Sequence, residues 1–234
     1  MAREITKLHP DLQKKIKQLQ QECLIKGLKI GIGECLRTVS EQDALYAQGR
    51  TTPGSKITNA KGSTYSSMHQ WGIAFDFFLV DTDVDGDGKT TDDTFNNSTG
   101  LFDKVGAIGK SIGLEWGGDW KSPVDKPHFQ LPDWGSSATK IKAAYGTPDK
   151  FFKTWKTPVK TVTSGSTKDN IMWLQEKLNR YGGAKLAVDG SFGPKTQKAV
   201  LAYWKVLDWN KAGKDDGTRA GAKTIKALTS GRTK

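Results

Sequence analysis

The stretch SMHQWGIAFDFFLV, residues 67–80, combines a strong strand signal with an acidic residue that strands of this kind rarely carry. From Trp71 to Val80 most residues are aromatic, aliphatic or β-branched, which predicts a buried strand. Asp76 interrupts this apolar run. A carboxylate in such surroundings is costly unless it is paired or binds a metal. The stretch therefore points to a polar site built on a core strand.

Two of the three histidines accompany acidic residues in recognisable spacings. His69 precedes Asp76 in an S-x-H-x-x-G-x-A-x-D pattern, and His128 follows Asp125 in a D-x-x-H pattern. Catalytic zinc sites take three protein ligands from imidazoles and carboxylates and keep one position for water. His69, Asp76 and His128 make up such a set. The alternative is a strand aspartate that hydrogen-bonds a loop, with two unrelated histidines elsewhere.

Helical and strand signals alternate irregularly on both sides of this stretch, which favours an α+β fold. Apolar residues at helical spacing predict helices over residues 10–26 and around 102–112. Residues 40–43 match a capping box that would open another helix. Strands are predicted over 29–36 and near 128–131. The two cysteines, Cys23 and Cys35, fit core positions and are too few for a disulfide framework.

The net charge of +11 is confined to the last third of the chain. Residues 1–150 carry 19 basic and 19 acidic side chains, whereas residues 151–234 carry 17 basic and 6 acidic ones. We therefore predict a neutral domain over 1–150, a linker over 151–165 and a basic domain over 166–234. A basic domain of this kind suits an anionic polymer, such as nucleic acid, a membrane surface or a bacterial wall.

The segment DVDGDGKTTDD, residues 83–93, has the spacing of a calcium-binding loop. Asp83, Asp85 and Asp87 would occupy positions 1, 3 and 5 of an EF-hand-like loop, and a glycine stands at position 6. Position 12 is Thr94 instead of glutamate, so we expect Asp92 or its neighbour to supply the missing carboxylate. The alternative is a solvated acidic hairpin loop without an ion.

The motifs of residues 8–131 resemble the LAS-type zinc peptidases, the family of D-alanyl-D-alanine carboxypeptidases and L-alanyl-D-glutamate endopeptidases that includes phage endolysins. The likeness extends to E-W-G-G-D-W at 115–120 and D-x-P-H-F-Q at 125–130. It implies a small antiparallel sheet with helices, and zinc held by the two histidines and Asp76. It also implies that Asp125 is the general base.

The resemblance assigns further residues to the substrate. Arg37 would stabilise the oxyanion or hold a substrate carboxylate, and Ser67 would bond the substrate near the zinc. Both residues also suit plain surface or turn positions. Glu115 and Asp119 compete with Asp125 for the role of base, and they equally fit the lining of the cleft or the support of a metal-binding histidine.

An internal repeat marks the basic domain. A D-G-S-F-G-P-K-T segment at 189–196 returns in altered form at 216–224, and L-Q-x-x-L-N stands at 174–179. Residues 164–228 resemble the peptidoglycan-binding domain of wall hydrolases, which implies a small three-helix domain. A nucleic-acid domain is the rival interpretation, but the lysines are spread and no nucleic-acid-binding motif accompanies them.

The sequence as a whole predicts an endolysin-like peptidoglycan hydrolase that uses zinc-activated water on the stem peptide, most simply at the L-Ala–D-Glu bond. The alternatives are a D,D-carboxypeptidase or cross-bridge endopeptidase with the same site, and a wall-binding protein with a vestigial zinc site. We expect Zn²⁺ and Ca²⁺ as cofactors. We also expect a monomer that binds peptidoglycan, binds no nucleic acid and has no membrane span. The first residues lack an apolar signal region, so we expect synthesis in the host cytoplasm and release by another factor, a holin in the case of a phage.

Overall fold

The structure is a computed structural model that describes residues 4–158, 161–209 and 215–233. The chain divides into two compact units, Met1–Lys142 and Ala143–Lys234. The division falls slightly before residue 150, where the sequence places the end of the first domain. Within the described residues, no helix has the length and apolar character that crossing a bilayer requires.

The first unit consists of helices around a four-stranded antiparallel sheet, as predicted. In chain order the elements are α1 (Pro10–Ile25), β1 (Ile30–Ile32), α2 (Val39–Ala47), β2 (Ala74–Leu79), α3 (Leu101–Ser111), β3 (Glu115–Trp116) and β4 (His128–Gln130). The strand order in the sheet is β1-β2-β4-β3, with every neighbouring pair antiparallel. Strand β1 is shorter than predicted, because the chain beyond Ile32 leaves the regular ladder.

The register of β2 against β4 determines which side chains meet. Asp76 lies directly opposite His128, so the two side chains project from the same face of the sheet. The neighbouring pair, Phe75 and Phe129, projects from the other face, where the two rings stack with centroids 5.6 Å apart. One face of the sheet is therefore polar at this point and the other belongs to the core.

Helix α3 packs directly against the core face of the sheet at two residues that have no side chain. A Cβ at Gly106 would come within 2.5 Å of the Trp116 ring. A Cβ at Gly109 would come within 2.2 Å of the Phe129 ring. The two glycines thus hold the aromatic side of β3 and β4 tightly against the helix.

The capping box of α2 differs from the predicted one. The N-cap is Thr38 and not Ser40: its hydroxyl accepts from the Glu41 amide at 3.2 Å, and the Glu41 carboxylate accepts from the Thr38 amide at 2.8 Å. Asp43, three residues after Ser40, accepts instead from the Gly62 amide at 2.7 Å. The prediction was wrong by two residues because both positions offer a hydroxyl followed by an acid.

The second unit contains three principal helices and a two-stranded sheet. After α4 (Thr139–Tyr145), which spans the division, the elements are α5 (Pro148–Lys153), β5 (Val162–Thr163), α6 (Lys168–Gly182), α7 (Pro194–Val206), β6 (Arg219–Ala220) and α8 (Ala222–Thr229). The three-helix domain is α6, α7 and α8, as predicted. Within the described part of the predicted linker, Phe151 and Val162 are fully buried, and β5 pairs with β6.

A buried glutamine ties the first copy of the repeat to α6. The Gln175 side-chain oxygen accepts from the amides of Asp189 and Gly190, at 3.1 and 2.9 Å. Its amide nitrogen donates to the Asp189 carboxylate at 2.9 Å and to the Ser191 carbonyl at 3.1 Å. The L-Q-x-x-L-N and D-G-S-F-G motifs are therefore two halves of one hydrogen-bonded structure.

Candidate active site

Three short elements carry the residues of the predicted metal set. His69 lies in a single 3-10 turn, Met68–Trp71, which ends at Gly72 in the left-handed conformation with φ +64°. Asp76 lies in β2, four residues beyond that glycine, and His128 begins β4. The turn at Gly72 brings the chain back into the sheet, so that the imidazole of His69 reaches the carboxylate of Asp76.

The three ligand atoms form a nearly equilateral triangle. The Asp76 Oδ1 atom lies 3.2 Å from His128 Nδ1 and 3.4 Å from His69 Nε2, and the two nitrogens are 3.2 Å apart. Tetrahedral ligands at zinc bond lengths of about 2.0–2.1 Å are separated by about 3.3–3.4 Å. The triangle thus has the dimensions of one face of a zinc tetrahedron, and these residues could hold such an ion.

The surrounding backbone orients His69. The Cys35 carbonyl lies 2.9 Å from His69 Nδ1. Because a carbonyl can only accept a hydrogen bond, Nδ1 carries the proton and Nε2 presents a lone pair. The segment after β1 also holds Asp76, since the Gly33 amide donates to the Asp76 carbonyl and the Asp76 amide donates to the Glu34 carbonyl.

The charges within the cluster reinforce one another. Burial opposes the ionisation of Asp76, but the adjacent His69 and His128 imidazoles outweigh it and hold the pKa of Asp76 well below its ordinary range. Burial likewise opposes a proton on His128, yet the hydrogen bond and charge of Asp76 raise the pKa of His128. The carboxylate therefore stays ionised and available to a cation.

The cluster is buried on the histidine side and open on the aspartate side. The side chains of His69 and His128 are each 6% exposed, whereas that of Asp76 is 26% exposed. A site with three protein ligands and one open side is the arrangement of catalytic metal centres, in contrast to closed structural ones.

Asp125 is attached to the cluster through its backbone. Its carbonyl accepts from the His128 amide at 3.2 Å, and its amide donates to the Gly117 carbonyl at 3.0 Å. A Cβ at Gly117 would lie 2.4 Å from the Asp125 carbonyl oxygen, so glycine is required there for the approach. Burial raises the pKa of Asp125, and the charges of His128 and Arg37 oppose that rise. No hydrogen bond to its carboxylate exists within the described residues.

Arg37 lies in a buried polar cluster and not on the surface. One terminal nitrogen donates to Gln42 Oε1 at 2.8 Å, and the other lies 3.6 Å from a Glu34 carboxylate oxygen. The Arg37 and Glu34 side chains are 10% and 9% exposed. Gln42 is fully buried, and its amide group donates to Thr58 and Ala60 of the following loop. Glu34 and Gln42 were not predicted, although Gln42 lies in a predicted helix.

The predicted substrate residues occupy different surroundings. Ser67 is half-buried at the start of the 3-10 turn, two residues before His69. Glu115 accepts from the Trp120 indole N–H at 3.1 Å, and the Trp120 ring lies against His128 with centroids 4.9 Å apart. Asp119 is exposed and paired with Lys110 at 2.9 Å. Glu115 therefore supports an aromatic wall beside His128, and Asp119 belongs to a surface ion pair.

The acidic loop has a separate organisation. The carboxylates of Asp83, Asp85 and Asp87 converge within 4.8 Å of one another, and all three residues are exposed. In the described part of the chain Asp92 does not join this cluster. Its neighbour Asp93 is buried and accepts from the Val84 amide and from Asn96, so it fastens the loop internally. Calcium binding by the loop stays a prediction.

Comparison with known proteins defines the class. A family profile described as D-alanyl-D-alanine carboxypeptidase matches residues 60–131, which include all three cluster residues and Asp125. A second profile, described as a putative peptidoglycan binding domain, matches residues 167–204 in the second unit. The chain thus joins a peptidase domain to a peptidoglycan-binding domain.

Individual relatives narrow this class. The peptidoglycan L-alanyl-D-glutamate endopeptidase CwlK of Bacillus subtilis is 37% identical over 124 residues, which is 53% of this chain and 73% of the relative. The L-alanyl-D-glutamate peptidase of a Listeria phage is 31% identical over 154 residues, 65% of this chain and 44% of the phage protein. The chain therefore belongs to the peptidase family that includes D-alanyl-D-alanine carboxypeptidases and L-alanyl-D-glutamate endopeptidases. The crystal structure of the Serratia marcescens L-Ala D-Glu endopeptidase ChiX aligns with a TM-score of 0.37 at 20% identity, over 54% of this chain and 82% of that chain.

Proposed function

We propose that the protein is a zinc-dependent peptidoglycan hydrolase that cleaves the stem peptide between L-Ala and D-Glu. The observation that carries this proposal is the triangle of His69, Asp76 and His128 in a member of this peptidase family. Asp125 is near enough for the charges of all three residues to act on its carboxyl group. The scissile bond is inferred from the relatives, which are named as L-alanyl-D-glutamate peptidases. The ability to hydrolyse an amide is inferred from the geometry of the three ligands.

Zinc fits the ligand set on chemical grounds as well as on dimensions. Two neutral imidazoles and one carboxylate are ligands that zinc favours. With Zn²⁺ bound, the single negative charge of the carboxylate would leave a net charge of +1 at the site. When bound, zinc supplies a Lewis acid that polarises the peptide carbonyl and acidifies water. Its three protein ligands here would be His69 Nε2, Asp76 Oδ1 and His128 Nδ1.

Asp125 is the group that moves protons. Its carboxylate accepts no hydrogen bond within the described residues. Burial raises the pKa of Asp125 and so favours the protonated form compared with an exposed aspartate. Asp125 takes a proton from the attacking water and delivers it to the nitrogen of the leaving amine, so that one carboxylate serves both steps. Its backbone bonds to Gly117 and His128 hold it close to the cluster without making it a ligand.

Arg37 supplies a fixed positive charge to the same region. That charge acts on Asp125, because it opposes the rise in the pKa of Asp125. Gln42 and Glu34 hold the guanidinium in place, so its position is more restricted than that of a surface arginine. We propose that it stabilises the negative charge that develops on the substrate, a form of electrostatic stabilisation that costs no reorganisation.

The second unit would attach the enzyme to its substrate. Its match to a peptidoglycan-binding domain and the excess of basic residues after residue 150 both suit a wall that carries anionic polymers and peptide carboxylates. In this proposal the protein acts as a monomer on the wall after another factor has released it, and the wall, not a nucleic acid, is its polymeric partner.

Zinc removal and restoration test the proposal. The full chain is stripped with a chelator, dialysed, and assayed on purified stem-peptide fragments before and after one equivalent of Zn²⁺ is added. We expect no hydrolysis without zinc, recovery with it, and no recovery in a His128→Ala variant. An Asp81→Asn variant, which changes an exposed acid two residues after β2, serves as the control. Full hydrolysis by the stripped protein would contradict the proposal.

A further inference from the structure

Gln130 is a fully buried residue in contact with His128 of the His69–Asp76–His128 cluster. It lies two residues after His128 in β4, so both side chains project from the same face of the sheet. Its Oε1 atom lies 3.1 Å from His128 Nε2. Its amide nitrogen lies 3.2 Å from the carbonyl of Gly135, just after the turn that follows the strand.

The Gly135 carbonyl fixes the direction of this chain of hydrogen bonds. A backbone carbonyl only accepts, so the NH₂ group of Gln130 must face Gly135. The Oε1 atom then faces His128 and can only accept from it, so the proton of the neutral imidazole sits on Nε2. His128 Nδ1 is left with its lone pair, and this atom lies 3.2 Å from Asp76 Oδ1.

We propose that Gln130 is a positioning residue that selects the Nε2-protonated tautomer of His128 and thereby presents Nδ1 to the metal. This inference rests on the proposed zinc site. The two histidines are then set in opposite tautomers by different means. His69 is set by a backbone carbonyl, that of Cys35, and uses Nε2. His128 is set by a side chain and uses Nδ1, so only this ligand is controlled by a residue that substitution can change.

Loss of the Gln130 oxygen would release that control. Without an acceptor at Nε2, His128 can place its proton on either nitrogen, and the Nδ1-protonated form cannot bind the ion where Asp76 and His69 hold it. Partners that orient a metal-binding histidine in this way typically contribute 10–100-fold, in order of magnitude, to metal affinity or activity.

Nitrogen NMR of the unaltered protein is the direct test. The full chain is labelled with ¹⁵N-histidine, loaded with one equivalent of Zn²⁺, and its imidazole nitrogens are assigned through two-bond couplings to the ring protons. We expect a protonated Nε2 and a metal-shifted Nδ1 for His128, and the reverse for His69. Metal at Nε2 of His128 would overturn the inference, whereas failure of the wild type to bind zinc would overturn the proposed function instead.

Zinc affinity of two variants provides the second test, by competition with a chromophoric chelator. Gln130→Leu removes the acceptor at similar volume, and we expect about 10–100-fold weaker zinc binding. Gln130→Glu keeps an acceptor for Nε2–H, and we expect its zinc affinity to stay within about tenfold of wild type. This should hold even if the buried carboxylate lowers the free energy of unfolding. Gln175→Leu removes an equally buried glutamine of the second unit and should leave zinc affinity unchanged.

A purely structural role for Gln130 predicts a different result. The Leu variant would then unfold at a lower temperature but, while folded, bind zinc within about twofold of wild type. That result would overturn the inference. Should Gln130→Leu not fold, the NMR measurement on the wild type decides the question without it.

Discussion

At the scale of single residues, the candidate active site depends on the ionisation states of two carboxyl groups, those of Asp76 and Asp125. Asp76 is ionised because two imidazoles surround it, and its exposed edge leaves room for substrate. Asp125 has the opposite character: burial favours its protonated form, and its oxygens are not committed to a neighbour in the described chain. Two carboxylates of one site are thus suited to two tasks, metal binding and proton transfer.

Replacing Asp125 should separate these two tasks. We expect Asp125→Asn to lower the turnover of stem-peptide fragments by about 10²–10⁴-fold, the usual contribution of a general base. Zinc content, measured by elemental analysis, should stay at the wild-type level because Asp125 is not one of the three converging ligands. Loss of zinc together with activity would instead assign Asp125 to the metal.

The buried pair of Arg37 and Glu34 should show strong coupling. Removing one partner leaves a buried charge without compensation, which typically costs about 3–5 kcal/mol. We therefore expect Arg37→Met to lower the free energy of unfolding of the first unit severely, and Arg37→Met with Glu34→Gln to lower it less than the two single changes added together. Urea denaturation of the four proteins measures this. Additive losses would show that the two side chains do not interact.

At the scale of elements, close approach of α3 to the sheet should be sensitive to one methyl group. A Cβ at Gly109 would overlap the Phe129 ring. Overpacking of this kind costs about 1–3 kcal/mol, more than the roughly 1 kcal/mol that alanine gains over glycine in a helix. We expect Gly109→Ala to be destabilising in urea denaturation.

Gly182 in α6 provides a matched control for Gly109. The nearest atom to a Cβ there is 3.5 Å away, an ordinary contact. We expect Gly182→Ala to be neutral or stabilising. Equal effects of the two substitutions would contradict the assigned role of Gly109.

The capping box of α2 predicts an acid-sensitive contribution to stability. The backbone hydrogen bond of Thr38, followed by that of its hydroxyl, lowers the pKa of Glu41 in the folded protein. A lowered folded pKa means that the contribution is present above the unfolded value of about 4.3 and is lost as pH falls through the folded value. We expect Glu41→Gln to be less stable by about 0.5 kcal/mol at pH 7.

The pH dependence of that difference supplies the check. Denaturation at a series of pH values should bring wild type and Glu41→Gln together once the pH falls below the pKa of Glu41 in the folded protein, since glutamine keeps the cap but not the charge. A difference that stays constant down to acid pH would show that the charge of Glu41 contributes nothing to α2.

Much of the fold and the cluster could be predicted because their signals are local. The helix α1 follows from apolar spacing, and the three cluster residues stand in short motifs with fixed spacings. The Thr38 cap was missed because two overlapping hydroxyl–acid patterns compete and only tertiary contact with Gly62 decides between them. Gln130, Glu34 and Gln42 were missed because their importance depends on strand register and packing, which no short pattern encodes.

At the scale of the whole molecule, the division of charge predicts a division of labour. Exposed lysines of the second unit should govern attachment to walls, because charges in solvent act over roughly 10 Å at moderate salt. We expect their replacement by glutamine to weaken adsorption to purified walls at low salt without altering hydrolysis of soluble fragments. The lysines to replace are Lys195, Lys198, Lys205 and Lys226, all exposed.

An equal change of charge in the first unit is the control. Exposed lysines available for it are Lys14, Lys17, Lys26 and Lys104. We expect this variant to adsorb nearly as well as wild type in a sedimentation assay over a range of salt concentrations. Equal weakening by both sets would mean that total charge, and not its position, determines attachment.

Mass spectrometry of wall fragments after digestion by the zinc-loaded protein identifies the bond that is cleaved. We expect new fragments with a free amino terminus on D-Glu, matched by fragments that end in L-Ala, and neither from the Asp125→Asn variant. Release of free D-Ala with no new D-Glu terminus would contradict this expectation and indicate a carboxypeptidase. No new termini at all would contradict it in favour of a protein that only binds the wall.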